Sequence, residues 1–448
     1  MDTYNNRPMS YESSKILLQY LEANVRFQLS NRIQSLRKME KLVPMKLHFL
    51  KFSPFEFMIN DTRYKLGTYR DYPTGVEVLY GHPNDNLKGG VSWDLDQYGF
   101  RDFSDGDVVT PGDVVIKDPF LAEPNPPDYA FLESTLRVFK WVSAKRSGQE
   151  MDPLDEHIQE GFLVYQNPVI TNEFLQKTIS ELEATLAPFR CRRERSQRPF
   201  TTSIQLTVVS PGGEFQIWRK PSVHPVQNTN FKLYEAQKQL ADRLFGNRAD
   251  NVCVKNFEIT SDHLHPLMIV RLPPSFQIKI ESLTIRENAP TICNAIQDLV
   301  HESSYPLRKV EYKGRNRLTV HPTIAGAREL HFVFYVFAGI QELLLFRNHN
   351  IYMGNNTFTL DEHMTLLRSW IDNRRKIGAS FISLFEEEAL ILEIFAQAKQ
   401  HLNGFDDGAR CVRIPLNNLS QIKVSYMQVR GRDNWVILKR LIIEVVAV

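Results

Sequence analysis

Two short motifs contain residue types that bind metal ions. Asp94 and Asp96 are separated by one residue, and their carboxylates could hold a divalent cation through hard oxygen ligands. His263 and His265 have the same spacing, so their imidazoles could share a metal ion. Neither pair has further ligand residues at a matching spacing. We therefore interpret the aspartates as surface loop carboxylates and the histidines as a loop or strand-edge pair, and we predict neither a metal nor a cofactor.

Motifs for covalent catalysis or phosphate binding are absent from the sequence. It contains no GxSxG, no GxxxxGK[ST] and no GxGxxG. Gly212 and Gly213 lie between two segments of period-two alternation, which predicts a hairpin turn rather than an anion site. We expect a non-enzymatic protein. An enzyme whose site is assembled from distant residues is the alternative, although no residue set can be nominated for it.

Five arginines within nine residues form the strongest basic cluster, namely Arg190, Arg192, Arg193, Arg195 and Arg198. Guanidinium groups bind phosphates, so nucleic-acid or polyanion binding is an alternative function. A solvated loop before the hairpin is the simpler interpretation. The whole chain has 54 Lys and Arg against 52 Asp and Glu, a net charge of +2, so no global field favours nucleic acid or membranes.

The first 45 residues predict a small helical module. Apolar residues recur at helical spacing after the serines at positions 10, 13 and 14, which are good helix N-caps, and Asn24 interrupts the run. Two or three short helices with an apolar side have no room for a large core of their own. We therefore predict that this module binds another protein through Leu17, Leu18, Leu21 and Val25.

The rest of the chain completes a predicted α+β fold. The expected segments are a β-rich domain at 46–118, a Pro-rich linker at 119–128, an α+β region with a hairpin at 129–250, and an α/β domain at 251–448. In the last segment, strand-like and helix-like stretches alternate at roughly regular intervals, as in leucine-rich-repeat solenoids. Its strands are expected at 256–260, 282–286, 309–312, 329–332 and 343–346.

Cysteine usage and the chain ends indicate the compartment. The four cysteines are scattered and form no CxxC motif, as expected for free thiols in a reducing environment. The polar N-terminus lacks the apolar core of a signal peptide. The apolar C-terminal stretch at 435–448 is too short to span a bilayer and contains charges, so it predicts one or two strands. We expect a cytoplasmic or nuclear protein.

Several distinctive stretches lie in the first 130 residues. They read PMSYESSK (8–15), LQYLEANVR (18–26), LRKMEK (36–41), PMKL (44–47), YKLGTYRDYPTG (64–75) and GGVSWDLDQYGF (89–100). Together they resemble a family of uncharacterised proteins expanded in nematodes. That resemblance implies no particular biochemical activity.

The helical opening is similar to an F-box, although Pro8-Met9-Ser10-Tyr11 stands where an F-box usually starts with Leu-Pro-x-Glu/Asp. In such nematode families the F-box docks to the adaptor subunit of a cullin-based ubiquitin ligase. The C-terminal half, at 343–346, 357–360 and 366–371, resembles the F-box-associated region of nematode proteins. The resemblance implies a ubiquitin-ligase substrate receptor whose helices bind the adaptor and whose C-terminal half selects an unknown target protein.

Overall fold

A computed structural model describes residues 9–104, 108–117, 128–149, 171–213, 215–221, 231–260, 267–286, 288–314, 320–333, 339–354, 358–430 and 437–448. The fold is mixed α/β and is built on one large sheet. His263 and His265 lie outside the described residues, as does the predicted linker apart from Asp128. None of the helices among the described residues is long and apolar enough to cross a membrane.

The described chain contains twelve α-helices. They are α1 Tyr11–Tyr20, α2 Ala23–Arg32, α3 Leu36–Lys41, α4 His82–Leu87, α5 Tyr129–Arg146, α6 Asn172–Glu194, α7 Leu233–Phe245, α8 Ala289–Ala295, α9 Pro322–Ala325, α10 Ile340–Leu343, α11 Leu360–Asp372 and α12 Ala389–His401. The first three form the predicted N-terminal module. Ser10 caps α1 by accepting a hydrogen bond from the backbone N–H of Ser13.

Nineteen strands are described. They are β1 Lys46–Ser53, β2 Glu56–Ile59, β3 Thr62–Asp71, β4 Asp94–Leu95, β5 Arg101–Asp102, β6 Val114–Lys117, β7 Thr201–Val209, β8 Phe215–Pro221, β9 Val252–Ile259, β10 Leu267–Val270, β11 Ile278–Ile285, β12 Lys309–Tyr312, β13 Glu329–Phe332, β14 Asn350–Met353, β15 Ser380–Phe385, β16 Phe405–Asp406, β17 Cys411–Asn417, β18 Ser420–Arg430 and β19 Ile437–Ala447. Fifteen of them form the large sheet, in the order β16-β17-β18-β19-β15-β14-β13-β12-β11-β9-β1-β2-β3-β7-β8.

The centre of the sheet is parallel, and both ends are antiparallel. β1, β9 and β11 to β15 run parallel to one another, whereas β2, β3, β7 and β8 extend one end as an antiparallel meander. The sheet therefore crosses the predicted boundaries at 118 and 250. β1 pairs with β9, and β3 pairs with β7, so strands from three predicted segments share one sheet.

In the units of β9, β11, β12, β13 and β14, three buried side chains recur with the same spacing. The second follows the first by three residues, and the third follows the second by two. The triplets are Val254/Phe257/Ile259, Ile280/Leu283/Ile285, Leu307/Val310/Tyr312, Ala327/Leu330/Phe332 and Asn348/Ile351/Met353, all at most 4% exposed. The strand residues among them pack against apolar side chains of the connecting helices in one continuous core. Burial of this surface is the main favourable term in the stability of the fold.

Two secondary-structure predictions in this region are wrong. The apolar run 343–346 was predicted as a strand. It instead contains the last residue of helix α10 and the turn that follows. The strand of that unit is β14, and β15 was not predicted. Short apolar runs do not distinguish a buried helical turn from a buried strand, because neither gives a visible period over four residues.

Asn348 joins two neighbouring units through its buried amide. Its Nδ2 donates to the carbonyl oxygens of Ile324 at 2.8 Å and Ala327 at 2.6 Å, and the residue is 2% exposed. It takes the first position of its triplet, where other units have an apolar residue. The amide therefore gives the Ala327 carbonyl oxygen a donor that a leucine could not supply, and it adds one to the Ile324 carbonyl oxygen, which also accepts from the backbone N–H of Ala327.

We predict that Asn348→Ala destabilises the protein by about 1–3 kcal/mol, because two buried hydrogen bonds are lost and the Ala327 carbonyl oxygen loses its donor. Urea unfolding followed by circular dichroism measures this change. Asn373→Ala is the matched control, since Asn373 Nδ2 also donates to a carbonyl, that of Ser369, but lies exposed. Its effect should stay within about 0.5 kcal/mol. Equal effects of the two substitutions would contradict the prediction.

Candidate protein-binding surfaces

The N-terminal helices expose many large apolar side chains. Ile16, Leu17 and Tyr20 lie on one side of α1 and are 54%, 43% and 84% exposed. Further exposed apolar residues of the module are Met9, Tyr11, Val25, Ile33 and Leu42. Exposed apolar surface concentrated in so short a segment is typical of a protein interface. We call the side chains of Ile16, Leu17, Tyr20 and Val25 the apolar face.

Only part of the predicted partner-binding set belongs to this face. Leu17 and Val25 are exposed, as predicted. Leu18 is 1% exposed and packs with Met39 and Val43, and Leu21 is partly buried against the same cluster. The prediction for Leu18 is wrong because its side chain, about 100° around the helix from that of Leu17, lies on the side of α1 that packs against Met39 and Val43. Leu18 instead holds α1 on α3.

A buried ion cluster of three residues attaches the module to the sheet. The Glu40 carboxylate lies 3.0 Å from Arg26 Nη2 and 2.8 Å from Arg248 Nη2, and the three side chains are at most 4% exposed. Arg26 also donates to the carbonyl oxygens of Pro44, Glu40 and Val43. Burial lowers the pKa of both arginines, and the Glu40 charge opposes that change. One carboxylate thus links α2, α3 and the residues after α7.

Hydrogen bonds make a second attachment. Asn24 Nδ2 donates to the Ile59 carbonyl oxygen at 3.0 Å, and the Tyr64 hydroxyl donates to Asn24 Oδ1 at 2.9 Å. Lys41 Nζ donates to the Arg243 carbonyl oxygen at 2.6 Å. The helices are therefore fixed on the β2–β3 hairpin and on α7, with the apolar face directed to solvent.

We predict that Glu40→Gln destabilises the protein by about 3–5 kcal/mol, because it keeps the side-chain shape but leaves two buried guanidinium groups without a counter-charge. The free energy of unfolding in urea measures this. Glu281→Gln is the control, since Glu281 lies 3.9 Å from Arg308 and both side chains are more than half exposed. That change should stay within about 0.5 kcal/mol. A Glu40→Gln protein as stable as the control would contradict this role of the cluster.

The parallel strands present a second surface, a polar sheet face. Their register aligns side chains in two rows that cross neighbouring strands. One row is Phe49, Asn256, Ser282, Lys309, Glu329, Asn350 and Ser380, and the other is Lys51, Glu258, Thr284, Glu311, His331, Tyr352 and Ile382. Most of these side chains are polar, in contrast to the buried triplets on the same strands.

Charges on the polar sheet face are paired across strands. Glu258 Oε1 lies 3.2 Å from Lys51 Nζ and 3.0 Å from Arg286 Nε. Burial acts to raise the pKa of Glu258, but these two cations outweigh it and the pKa is lowered. The His331 ring lies 4.1 Å from the Tyr352 ring, centroid to centroid. Burial, followed by the Lys309 charge, lowers the pKa of His331. The face therefore offers ion-paired charges of both signs beside a neutral aromatic pair at pH 7.

The basic cluster at the end of α6 mostly contacts the chain itself. Arg192 Nη2 lies 3.3 Å from Asp96 Oδ2, and its guanidinium lies 4.0 Å from the Phe100 ring centroid. Arg198 donates to the carbonyl oxygens of Leu95 and Asp96 and to the Thr202 hydroxyl. Three of the five predicted arginines lie inside the helix, which continues to Glu194 and is not a loop there.

The other arginines of the cluster lie at the same helix end. Arg193 donates to the Tyr129 hydroxyl at 2.8 Å, Arg190 is half-buried, and Arg195 ends α6 in a left-handed conformation with φ 55°. Arg192, Arg193 and Arg195 nevertheless stay exposed, so the polyanion alternative remains a prediction.

The predicted aspartate pair caps backbone groups. Asp96 Oδ1 accepts from the backbone N–H groups of Tyr98, Gly99 and Phe100, and the Asp94 carboxylate accepts from the N–H of Leu233. Among the described residues, no group of three His, Cys, Asp or Glu could hold a metal ion. The Asp-Gln-Tyr-Gly sequence after Leu95 is itself a turn signal, which agrees with the loop interpretation of Asp96. The surface-loop interpretation of Asp94 is wrong, because that residue lies in β4 and is only 7% exposed.

Comparison with known proteins gives one match. A family model described as a domain of unknown function (DUF3557) matches residues 232–387. The matched segment begins just before α7 and ends just after β15, so it contains the parallel strands from β9 onward and most of the polar sheet face. The chain matches none of the curated proteins and none of the solved structures.

Proposed function

We propose that this protein is a non-enzymatic substrate receptor of a cullin-based ubiquitin ligase. Helices α1 to α3 dock to the adaptor subunit through the apolar face, and the polar sheet face takes part in selecting a target protein. The apolar face carries this proposal, because it stays uncovered on a module that buried contacts hold in place. A rigid, exposed apolar face loses little entropy when a partner covers it.

The region from β9 to β15 is, in our interpretation, solenoid-like and related to leucine-rich repeats. Its strands lie parallel to their neighbours in chain order, and the buried triplets repeat with one spacing. Stacked units of this kind bury a continuous core and present an extended surface for binding. The polar sheet face lies on the strands of these units and presents polar and charged side chains, as such a binding surface would.

The same proposal puts the protein in the cytoplasm or nucleus. All four cysteines are free thiols, and the pKa of the buried Cys293 is raised to about 12 by burial. Free thiols are compatible with a reducing compartment, where ubiquitin ligases of this type act.

We predict that Leu17→Asp weakens binding to the purified adaptor at least about tenfold, because a charge replaces an apolar side chain at the centre of the apolar face. Biolayer interferometry with the immobilised adaptor measures the dissociation constant. Leu419→Asp is the matched control, since Leu419 is 77% exposed in the turn between β17 and β18, far along the chain from the module. That variant should bind like the unmodified protein.

Two results would contradict the proposed function. One is a full-length protein that shows no measurable affinity for the adaptor. The other is adaptor binding that Leu17→Asp and Leu419→Asp reduce equally, since that would place the contact elsewhere than the apolar face.

A further inference from the structure

A groove of about 830 Å³ lies between the N-terminal module and one end of the sheet. Its floor consists of apolar side chains of β3 and β7, namely Tyr64, Leu66, Ile204, Leu206 and Val208. Helix α2 contributes one wall and α7 contributes the other, with Leu240 and Leu244 among its lining residues. The groove thus has an apolar interior of a size that accommodates several side chains.

The charged residues of the groove are all cations. Arg32 on α2, Arg243 on α7, and Arg219 and Lys220 on β8 line it, and its lining contains no Asp or Glu. Arg243 Nε donates to Asn31 Oδ1 at 2.7 Å, and Lys220 Nζ lies 3.9 Å from the Phe231 ring centroid. Among the described residues, no carboxylate forms an ion pair with Arg32, Lys220 or Arg243. The groove is therefore complementary to a negatively charged ligand.

Strand β8 makes one side of the groove an open sheet edge. Among the strands that the structure describes, it is the last in the sheet order and pairs with β7 alone. Trp218 is opposite Leu206 and Lys220 is opposite Ile204, so both side chains face the groove, and Trp218 is 49% exposed. An unpaired edge offers backbone donors and acceptors to an extended segment.

We propose that an extended acidic peptide segment of a partner protein binds here as a strand added to β8. Its side chains at every second position face the groove, where the apolar ones pack beside Trp218 and the carboxylates contact Arg32, Lys220 and Arg243. Seven residues of β8 span about 24 Å, so the segment pairs over about five to seven residues. Identifying this segment as part of the ubiquitination target rests on the proposed function, whereas the peptide site itself does not.

Other occupants fit the groove less well. Residues 222–230, which follow β8 in the chain, contain no Asp or Glu. A second copy added edge to edge through β8 would bring Arg219 and Lys220 of both copies together, and like charges across a strand pair are destabilising. Charge therefore disfavours both residues 222–230 and a second copy as the occupant.

A display selection with the full-length protein tests the proposal. The probe is a phage library of random 12-residue peptides, and selected peptides are then labelled and measured by fluorescence polarisation. We expect selected peptides to be acidic, with apolar residues at alternate positions. Arg32→Glu/Lys220→Glu/Arg243→Glu should weaken their binding at least about tenfold, and Trp218→Ala should weaken it several-fold, while binding to the unmodified protein should fall as salt rises.

A matched triple charge reversal away from the groove, Lys255→Glu/Arg308→Glu/Lys376→Glu, controls for net charge and should leave peptide binding unchanged. If the groove variant fails to fold, the single change Lys220→Gln and the salt dependence carry the same test. Adaptor binding measured on all variants separates the two proposals. If the adaptor binds but the peptides do not, this inference alone is wrong. If the peptides bind but the adaptor does not, the proposed function alone is wrong.

Several outcomes would overturn the inference. They are a selection that yields no binding peptide, a selection that yields neutral or basic peptides, and peptide binding that is equal in the groove and control variants. A dimer in analytical ultracentrifugation that Trp218→Ala dissociates would assign the edge to a second copy. Peptide binding that appears only after the five carboxylates of residues 150–160 are neutralised would assign the groove to this chain itself.

Discussion

The carboxylate of Glu40 is the contact on which the arrangement of the protein depends. It lies between two arginines from different parts of the chain, and all three side chains are removed from solvent. Buried charges are stable only when each has its partners in place, because removing ions from water is costly. Helices α2 and α3 and the residues after α7 are therefore fixed relative to one another, since displacing any of them would leave a charge unpaired.

This constraint explains how a small helical module keeps an apolar face exposed. Three short helices bury little surface of their own, and isolated helices of this length are marginal in water. Here Leu18 attaches α1 to α3, while Asn24, Arg26 and Glu40 attach α2 and α3 to the sheet. The polar anchors supply the stability that the small apolar cluster cannot, which leaves Leu17 and Val25 free for a partner.

Features with a local period were predictable from the sequence, whereas long-range contacts were not. The hairpin around Gly212 corresponds to β7–β8, and the strands at 309–312 and 329–332 have the observed bounds. The buried triplets were missed because their spacing of three and then two fits neither the helical nor the alternating strand period. Arg192 and Asp96 were assessed separately, and nothing local indicates that residues so far apart in sequence meet.

The central claim is that the apolar face of a rigidly held module is the surface that binds the adaptor. Hydrogen–deuterium exchange of the full-length protein, with and without a saturating amount of purified adaptor, tests it most directly. The account predicts slower exchange in α1 and the start of α2 when the adaptor is bound, with the amides of β1 and β12 unchanged. Unchanged exchange in α1, or protection located only elsewhere in the chain, would contradict it.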